Sequence, residues 1–132
     1  METTTPGYLR VDAKGIVREW DETMAQFLGY ESNEIIGQSM SILIAKSYQE
    51  RHWKGFNAAI ARGAQKYEEP AFNGPLRHKD GTLRMHSFRQ YFLRDPFGNS
   101  AGAMLITGPA LVDGDDKGLP SLYTDALTLP DQ

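Results

Sequence analysis

The sequence predicts an α+β domain, in which a five-stranded antiparallel sheet carries short helices and one longer helix packed on one face. Two observations support this prediction. Apolar residues alternate with polar ones in short runs near both ends of the domain, as in strands, and they recur at helical spacing in between. The order of two strands, several short helices, one longer helix and a three-stranded meander is typical of α+β domains. The length of 132 residues fits a single domain with a substantial core.

The first two strands form a predicted hairpin. Residues 7–11 (GYLRV) and 16–20 (IVREW) alternate on either side of the turn signal D-A-K-G. A short helix follows, with Asp21 or Thr23 as its N-cap and Gly29 at its C-terminal end. A second short helical turn precedes an apolar run that leads into the long helix.

The long helix is predicted over residues 47–63 (SYQERHWKGFNAAIARG). Its inward stripe, at helical spacing, comprises His52, Phe56, Ala59, Ile60 and Gly63. Its solvated face comprises Gln49, Glu50, Lys54 and Arg62. The first member of the inward stripe is a histidine, and a buried imidazole without partners costs free energy. That partner is a backbone carbonyl, another side chain or a metal. Trp53 points about 100° away from this stripe, which favours packing or a dimer contact.

After residue 63 the period changes from helical to alternating, which predicts three more strands. The strands are expected at residues 67–76, 83–93 and 101–107, joined by turns at 78–81 and 95–99. Two prolines in the first of these segments predict an irregular or edge strand. His78 lies beside a lysine in the first turn and is expected to be a solvated surface residue.

Composition excludes several function classes. The formal net charge of −3 and the absence of a dense Lys/Arg cluster argue against a nucleic-acid partner. No long apolar run or signal-peptide pattern is present, which predicts a cytoplasmic protein with no membrane partner. The absence of cysteine excludes disulfides, thiolate nucleophiles, Cys-ligated zinc and covalent thiol adducts with a chromophore.

The chain divides into three predicted segments. Residues 1–6 form a flexible leader, residues 7–109 the folded domain, and residues 110–132 an acidic, flexible tail. Gly108 and Pro109 at the end of the last strand disfavour a helical extension.

Three motifs, in order, resemble those of PAS sensory domains: D-x-x-G-x-x-x-x-W, then F-L-G-Y-x-x-x-E-I-I-G, then the long helix with R-H-K-D-G after it. The resemblance covers about residues 7 to 107. It implies the PAS fold, a small ligand or cofactor bound between helices and sheet, dimerisation, and signalling to an effector without catalysis. Phe56 and Ile60 on the helix and Phe72 before the first turn would then line the site.

Within this family, the long helix is similar to that of the oxygen-sensing heme domains of the FixL type. The pair Arg51-His52 lies on this helix, and His52 is 28 positions before Asp80 of the D-G turn. The resemblance implies that His52 is the metal-ligating residue of a bound heme, because neutral imidazole is a good ligand for heme iron. Phe72 stands where that type has an oxygen-responsive arginine.

A second candidate group lies on the strand at 83–93. If Phe88 points inward, as the PAS pattern implies, His86 and Gln90 share its face by the period of two. They would then be distal hydrogen-bonding groups or a sixth ligand of heme, or polar groups that hold an unknown small organic ligand. A register shift of one residue would turn them to loop backbone or water instead.

The sequence therefore predicts a stand-alone PAS sensory module in signal transduction that binds a small-molecule ligand, with heme held by His52 as one candidate. The alternative is a colourless module that binds an organic ligand at His86, Phe88 and Gln90, or that serves only in dimerisation and protein interaction. A homodimer and a separate effector protein are the expected partners. No motif places a second titratable group beside either histidine, so no enzyme is predicted.

Overall fold

The computed structural model of the chain describes residues 5–62 and 72–111. Five strands and three α-helices form in this part of the chain. In order they are β1 (Gly7–Val11), β2 (Val17–Trp20), α1 (Glu22–Leu28), α2 (Ser32–Ile35), α3 (Gln49–Arg62), β3 (Phe72–Arg77), β4 (Leu83–Arg94) and β5 (Ser100–Ala110). Two short 3-10 helices, Met40–Leu43 and Lys46–Tyr48, lead into α3. None of the helices in these residues is long and apolar enough to cross a membrane.

The strands form one antiparallel sheet in the order β2-β1-β5-β4-β3. The predicted five-stranded α+β architecture is confirmed. The N-terminal hairpin docks beside the C-terminal strand, so that Gly7 pairs with Thr107 and Val11 with Ala103. β3, which contains Pro75, is an edge strand as predicted, and an edge strand tolerates a residue that lacks an N–H donor. The first part of its predicted range, residues 67–71, lies outside the described residues.

Local sequence signals fix the first helix and the end of the sheet. The Asp21 side chain accepts a hydrogen bond from the backbone N–H of Met24 at 2.9 Å and caps α1. Gly29 ends this helix in the left-handed conformation, with φ at 90°. Gly102 has φ at 108°, and a Cβ there would lie 2.0 Å from the carbonyl oxygen of Val11. Only glycine fits at this crossing of β5 and β1.

The core lies between the inner face of the sheet and the helices. Leu9, Val11 and Ala103 come from the sheet and are buried. Trp20 closes one side of the core, and its Nε1–H donates to the carbonyl oxygen of Tyr30 at 2.9 Å. The other fully packed members are Val17, Met24, Ala25, Leu28, Ile35, Met40, Leu43, Phe56 and Leu76.

Helix α3 presents its predicted stripe to the sheet. Phe56 and Ala59 are buried, and His52 and Ile60 are half-buried; Gly63 lies outside the described residues. The prediction that Gln49 faces solvent is wrong, because its side chain reaches back and donates to the carbonyl oxygens of Ser41 and Ile44.

Trp53 packs at the edge of the core. Its ring lies over Gly15, where a Cβ would come within 2.2 Å of the indole. The indole N–H donates to the hydroxyl of Ser41 at 2.7 Å. The packing role expected for Trp53 is confirmed.

Strand β5 runs three residues further than predicted, through Gly108 and Pro109 to Ala110. The next residue, Leu111, still donates its N–H to the carbonyl oxygen of Met85. The division of the chain at residue 109 stays a prediction, and residues 112–132 of the expected tail lie outside the described residues.

Candidate ligand site

A cavity of about 220 Å³ lies between α3, the 3-10 segments and the inner face of the sheet. Most of its lining is apolar. The apolar members are Leu9, Val11, Met40, Leu43, Ile44, Ala45, Phe56, Gly74, Pro75, Leu76, Phe88, Ala103 and Leu105. The polar members are Tyr48, Arg51, His52 and Gln90. An apolar enclosure with a few polar groups is the usual make-up of a small-molecule site.

The structure brings four of the predicted site residues to this cavity: His52, Phe56, Phe88 and Gln90. Ile60 packs against the core one turn further along α3 and is not part of the lining. The backbone of Phe72 pairs with that of Phe88, but the side chain of Phe72 lies outside the described part of the chain.

The inward residues of β4 lie at different distances along the strand, and only some of them reach the cavity. Phe88 pairs with Thr107 and is buried, and Gln90, two positions on, reaches the cavity as a half-buried side chain. The ladder with β5 shifts between His86 and Phe88, and His86 pairs instead with Ala110. The extra residue of this shift lies in β5, whereas the pairing of β4 with β3 is regular from Leu83 to Phe88. His86 therefore keeps the face of Phe88 but lies nearer the β3–β4 turn, outside the cavity lining.

His86 takes part in a buried histidine pair. Its Nδ1 lies 2.9 Å from the carbonyl oxygen of Gly108, and its Nε2 lies 2.8 Å from Nε2 of His78. A carbonyl only accepts, so Nδ1 of neutral His86 carries the proton and Nε2 is the acceptor. His78 therefore donates from its own Nε2–H. The pair joins the β3–β4 turn to β4 and, through Gly108, to β5.

The expectation that His78 is solvated is wrong. Its side chain is 6% exposed, because the turn folds it against His86, which is 0% exposed. Burial, and then the neighbouring His86, lower the pKa of His78 to about 4. Burial also lowers the pKa of His86, although the hydrogen bond to Gly108 opposes this effect. Both imidazoles are therefore neutral near pH 7.

His52 lies on the cavity wall between two aromatic neighbours. Its ring stacks on Phe56 with centroids 6.2 Å apart and meets Trp53 edge-on at 5.1 Å. Its Nδ1 is buried and has no hydrogen-bond partner among the described residues. Burial lowers the pKa of His52, so this ring is also neutral near pH 7.

Sequence reasoning missed two polar members of the lining, Tyr48 and Arg51. Tyr48 lies in a 3-10 turn, which has no apolar periodicity of its own, yet it is four residues before His52 and so shares the side of α3 that the inward stripe defines. Arg51 lies next to His52 on α3 and lines the edge of the cavity. Among the described residues, no group of three or more histidine or acidic side chains is arranged to hold a metal ion.

Fold and cavity together define a small sheet-and-helix domain with a ligand-sized interior space. The family model of the PAS fold matches residues 1–86, more than half of the chain. The chain therefore belongs to the PAS family, as its motifs predicted.

Solved structures share this fold. A PAS domain from Colwellia psychrerythraea superimposes with a TM-score of 0.66 at 18% identity, and the match covers 79% of this chain and 85% of that one. The PAS domain of the quorum-sensing receptor RpfR from Cronobacter turicensis, in complex with C12:0, has a TM-score of 0.59 at 12% identity over 85% and 99% of the two chains. Cycle PAS-B from Drosophila melanogaster, with bound ethylene glycol, has a TM-score of 0.60 at 12% identity over 77% and 97%. The comparison with curated proteins gives no match.

Proposed function

We propose that this PAS domain is a sensory module that binds a small organic molecule in the cavity between α3 and the sheet. The cavity itself carries the proposal. It is enclosed by apolar side chains from both layers, and Gln90 and His52 offer hydrogen-bonding groups on different walls. Apolar area drives entry of a ligand into such a site, and the few polar groups select it.

The structural neighbours support a ligand-binding role in general. The RpfR domain is a quorum-sensing receptor domain seen with C12:0, and Cycle PAS-B is seen with ethylene glycol. At 12% identity these likenesses concern the fold, so the choice of ligand in this chain depends on its own lining residues.

Heme is the second candidate, and one observation favours it: His52 lines the cavity from α3. In that case the imidazole of His52 would hold the iron, and the heme would supply gas binding. The size of the site opposes it. The cavity that the described residues enclose is about 220 Å³, below the roughly 300–1,000 Å³ of pockets for drug-sized molecules. A porphyrin is larger than most such molecules, so heme does not fit this cavity as it stands.

The proposed output is a change in protein interaction rather than a reaction. The outer face of the sheet offers a surface for a homodimer, since Tyr91 is exposed there and Met104 and Ile106 are half-buried. A separate effector protein would read the liganded state. A role in dimerisation or protein interaction alone is the alternative, and it requires no bound molecule.

A cavity-filling variant tests the proposal. Leu105 lines the cavity and is half-buried, whereas its neighbour Ile106 lies on the opposite face of β5. A panel of small organic molecules is screened by the shift in melting temperature of the wild-type chain. We expect Leu105→Phe to abolish the shifts and Ile106→Phe to retain them. Equal shifts in wild type and Leu105→Phe, or no shift with any compound, would overturn the proposal.

The heme candidate has its own test. Hemin is added to the wild-type chain, to His52→Ala and to Lys54→Ala, which changes an exposed residue of the same helix. A sharp Soret band that His52→Ala alone loses would establish heme and displace the organic ligand. A flat spectrum in all three removes heme from consideration.

A further inference from the structure

We propose that the ligand is a small monocarboxylate, whose carboxylate is bound by Arg51 and His52 and whose apolar body fills the cavity. This inference rests on the proposed function, because it names the ligand class of the same site.

The charge of the lining carries the first step. Arg51 is the single cation among the described residues of the wall, and none of those residues carries a carboxylate. A wall of this charge attracts an anion and disfavours a cation.

Arg51 is available for this role. It forms no ion pair with any described residue, although Glu50 precedes it in the chain. By contrast, Arg18 pairs with Asp12 at 2.9 Å and Lys79 with Glu34 at 2.6 Å. A guanidinium binds a carboxylate through two parallel hydrogen bonds, which adds geometric selectivity to the charge.

His52 supplies the second donor. A buried ring nitrogen without a partner costs free energy whether or not it carries the proton, and Nδ1 of His52 is such an atom among the described residues. A ligand carboxylate that accepts a hydrogen bond from Nδ1–H removes this cost. The wall at this end therefore offers a cation and a neutral imidazole, and the carboxylate supplies an acceptor for both.

The remaining lining sets the body of the ligand. Away from Arg51 and His52 the wall is formed by side chains such as Leu9, Leu43, Phe88 and Leu105, with Gln90 as a polar group on β4. A volume of about 220 Å³ holds roughly seven groups the size of a water molecule at about 30 Å³ each. An unbranched acid of about eight carbons has an apolar chain of about this volume, with its carboxylate at the rim.

The test compares octanoate with octan-1-ol, which has the same chain without the charge. Dissociation constants are measured by calorimetry on the wild-type chain, on Arg51→Gln and on a matched control, Arg89→Gln. Arg89 is exposed on the outer face of the sheet, away from the cavity lining. We expect octanoate to bind at least tenfold more tightly than octanol. Arg51→Gln should remove that tenfold preference and leave octanol binding unchanged, and Arg89→Gln should change neither.

His52→Phe separates the two donors. It keeps a ring in the same place but removes the N–H, so it should weaken both octanoate and octanol, since each carries an acceptor oxygen.

These outcomes distinguish a failure of the carboxylate inference from a failure of the proposed function. Equal affinities for octanoate and octanol, or a preference that survives Arg51→Gln, would overturn the carboxylate inference while the proposed cavity function stands. If neither octanoate nor octanol binds while another compound of the screen does, the carboxylate inference is likewise overturned and the proposed cavity function stands. Failure of every compound, including that screen, would overturn both.

Discussion

The histidine pair predicts that the stability of the domain falls between about pH 7 and pH 4. The pKa of His78 is lowered from 6.5 to about 4 in the folded chain. As the pH falls, the unfolded chain therefore binds its proton first, and the folded state loses stability relative to it. The stability that neutral His78 contributes is complete above the pKa that this residue has in the unfolded chain. It is lost progressively as the pH falls through this window, and it is absent below the pKa that His78 has in the folded chain.

The magnitude follows from the shift. One pKa unit corresponds to about 1.4 kcal/mol, so His78 alone removes roughly 3 kcal/mol of stability by about pH 4. Burial lowers the pKa values of His52 and His86 in the same direction and adds to this loss. The carboxyl groups with lowered pKa values, such as Asp12 and Glu34, contribute their losses at lower pH.

Two substitutions separate the hydrogen bond from the titration. His78→Leu leaves the buried Nε2 of His86 without a donor and should cost about 1–3 kcal/mol at neutral pH. His78→Gln retains a donor and should cost less. Neither side chain binds a proton in this range, so both variants should lose less stability than the wild type on acidification.

The assay is urea unfolding at about pH 7.5, 6, 5 and 4, followed by the fluorescence of buried Trp20 and half-buried Trp53. The free energies of wild type and His78→Gln should converge and then cross as the pH falls. Parallel curves for these two chains across the whole window would refute the assignment of the pH dependence to His78.

Two further predictions concern the backbone. Asp21→Ala removes the cap of α1 and should lower the free energy of unfolding by about 1 kcal/mol, as measured in urea. The control Gln26→Ala changes an exposed residue of the same helix and should leave the free energy of unfolding unchanged. Equal losses in the two variants would contradict the capping role. Gly102→Ala places a Cβ 2.0 Å from the oxygen of Val11 at a φ of 108° and should destabilise by more than about 2 kcal/mol. Gly55→Ala, in open space on α3, should instead stabilise by about 0.5–1 kcal/mol, and a similar loss at both glycines would refute the steric argument.

Much of the fold is predictable from local chemistry. The alternation in β1, the Asp21 cap and the Gly29 stop lie within a few residues of the structure they specify. Strand β2 does not alternate as predicted, because Val17 and Trp20 are buried and the two residues between them are exposed. The inward stripe of α3 follows from its spacing, and it correctly brings His52 and Phe56 to the cavity. The order of the motifs predicted the PAS family for the same reason, because each motif corresponds to a local turn or to the end of a helix.

The site is only partly predictable, because its other determinants are long-range. Strict alternation places His86 on the face of Phe88, as the regular β3–β4 pairing has it. His86 nevertheless lies beyond the cavity, where it contacts Gly108 and His78. No local pattern marks where along the strand the cavity ends. His78 resembles a solvated turn residue in sequence, and its burial depends on a partner eight residues away across the hairpin.

The proposed function requires that a small molecule enters the cavity between α3 and the sheet. The most direct test is a nuclear magnetic resonance titration of the ¹⁵N-labelled wild-type chain with the tightest-binding compound of the screen. We expect the largest chemical-shift changes on the Gln90 side-chain amide and on the backbone amides of Phe56, Phe88 and Leu105. Changes confined to the β4–β5 turn or to residues such as Arg89 on the outer face of the sheet would contradict the proposed function.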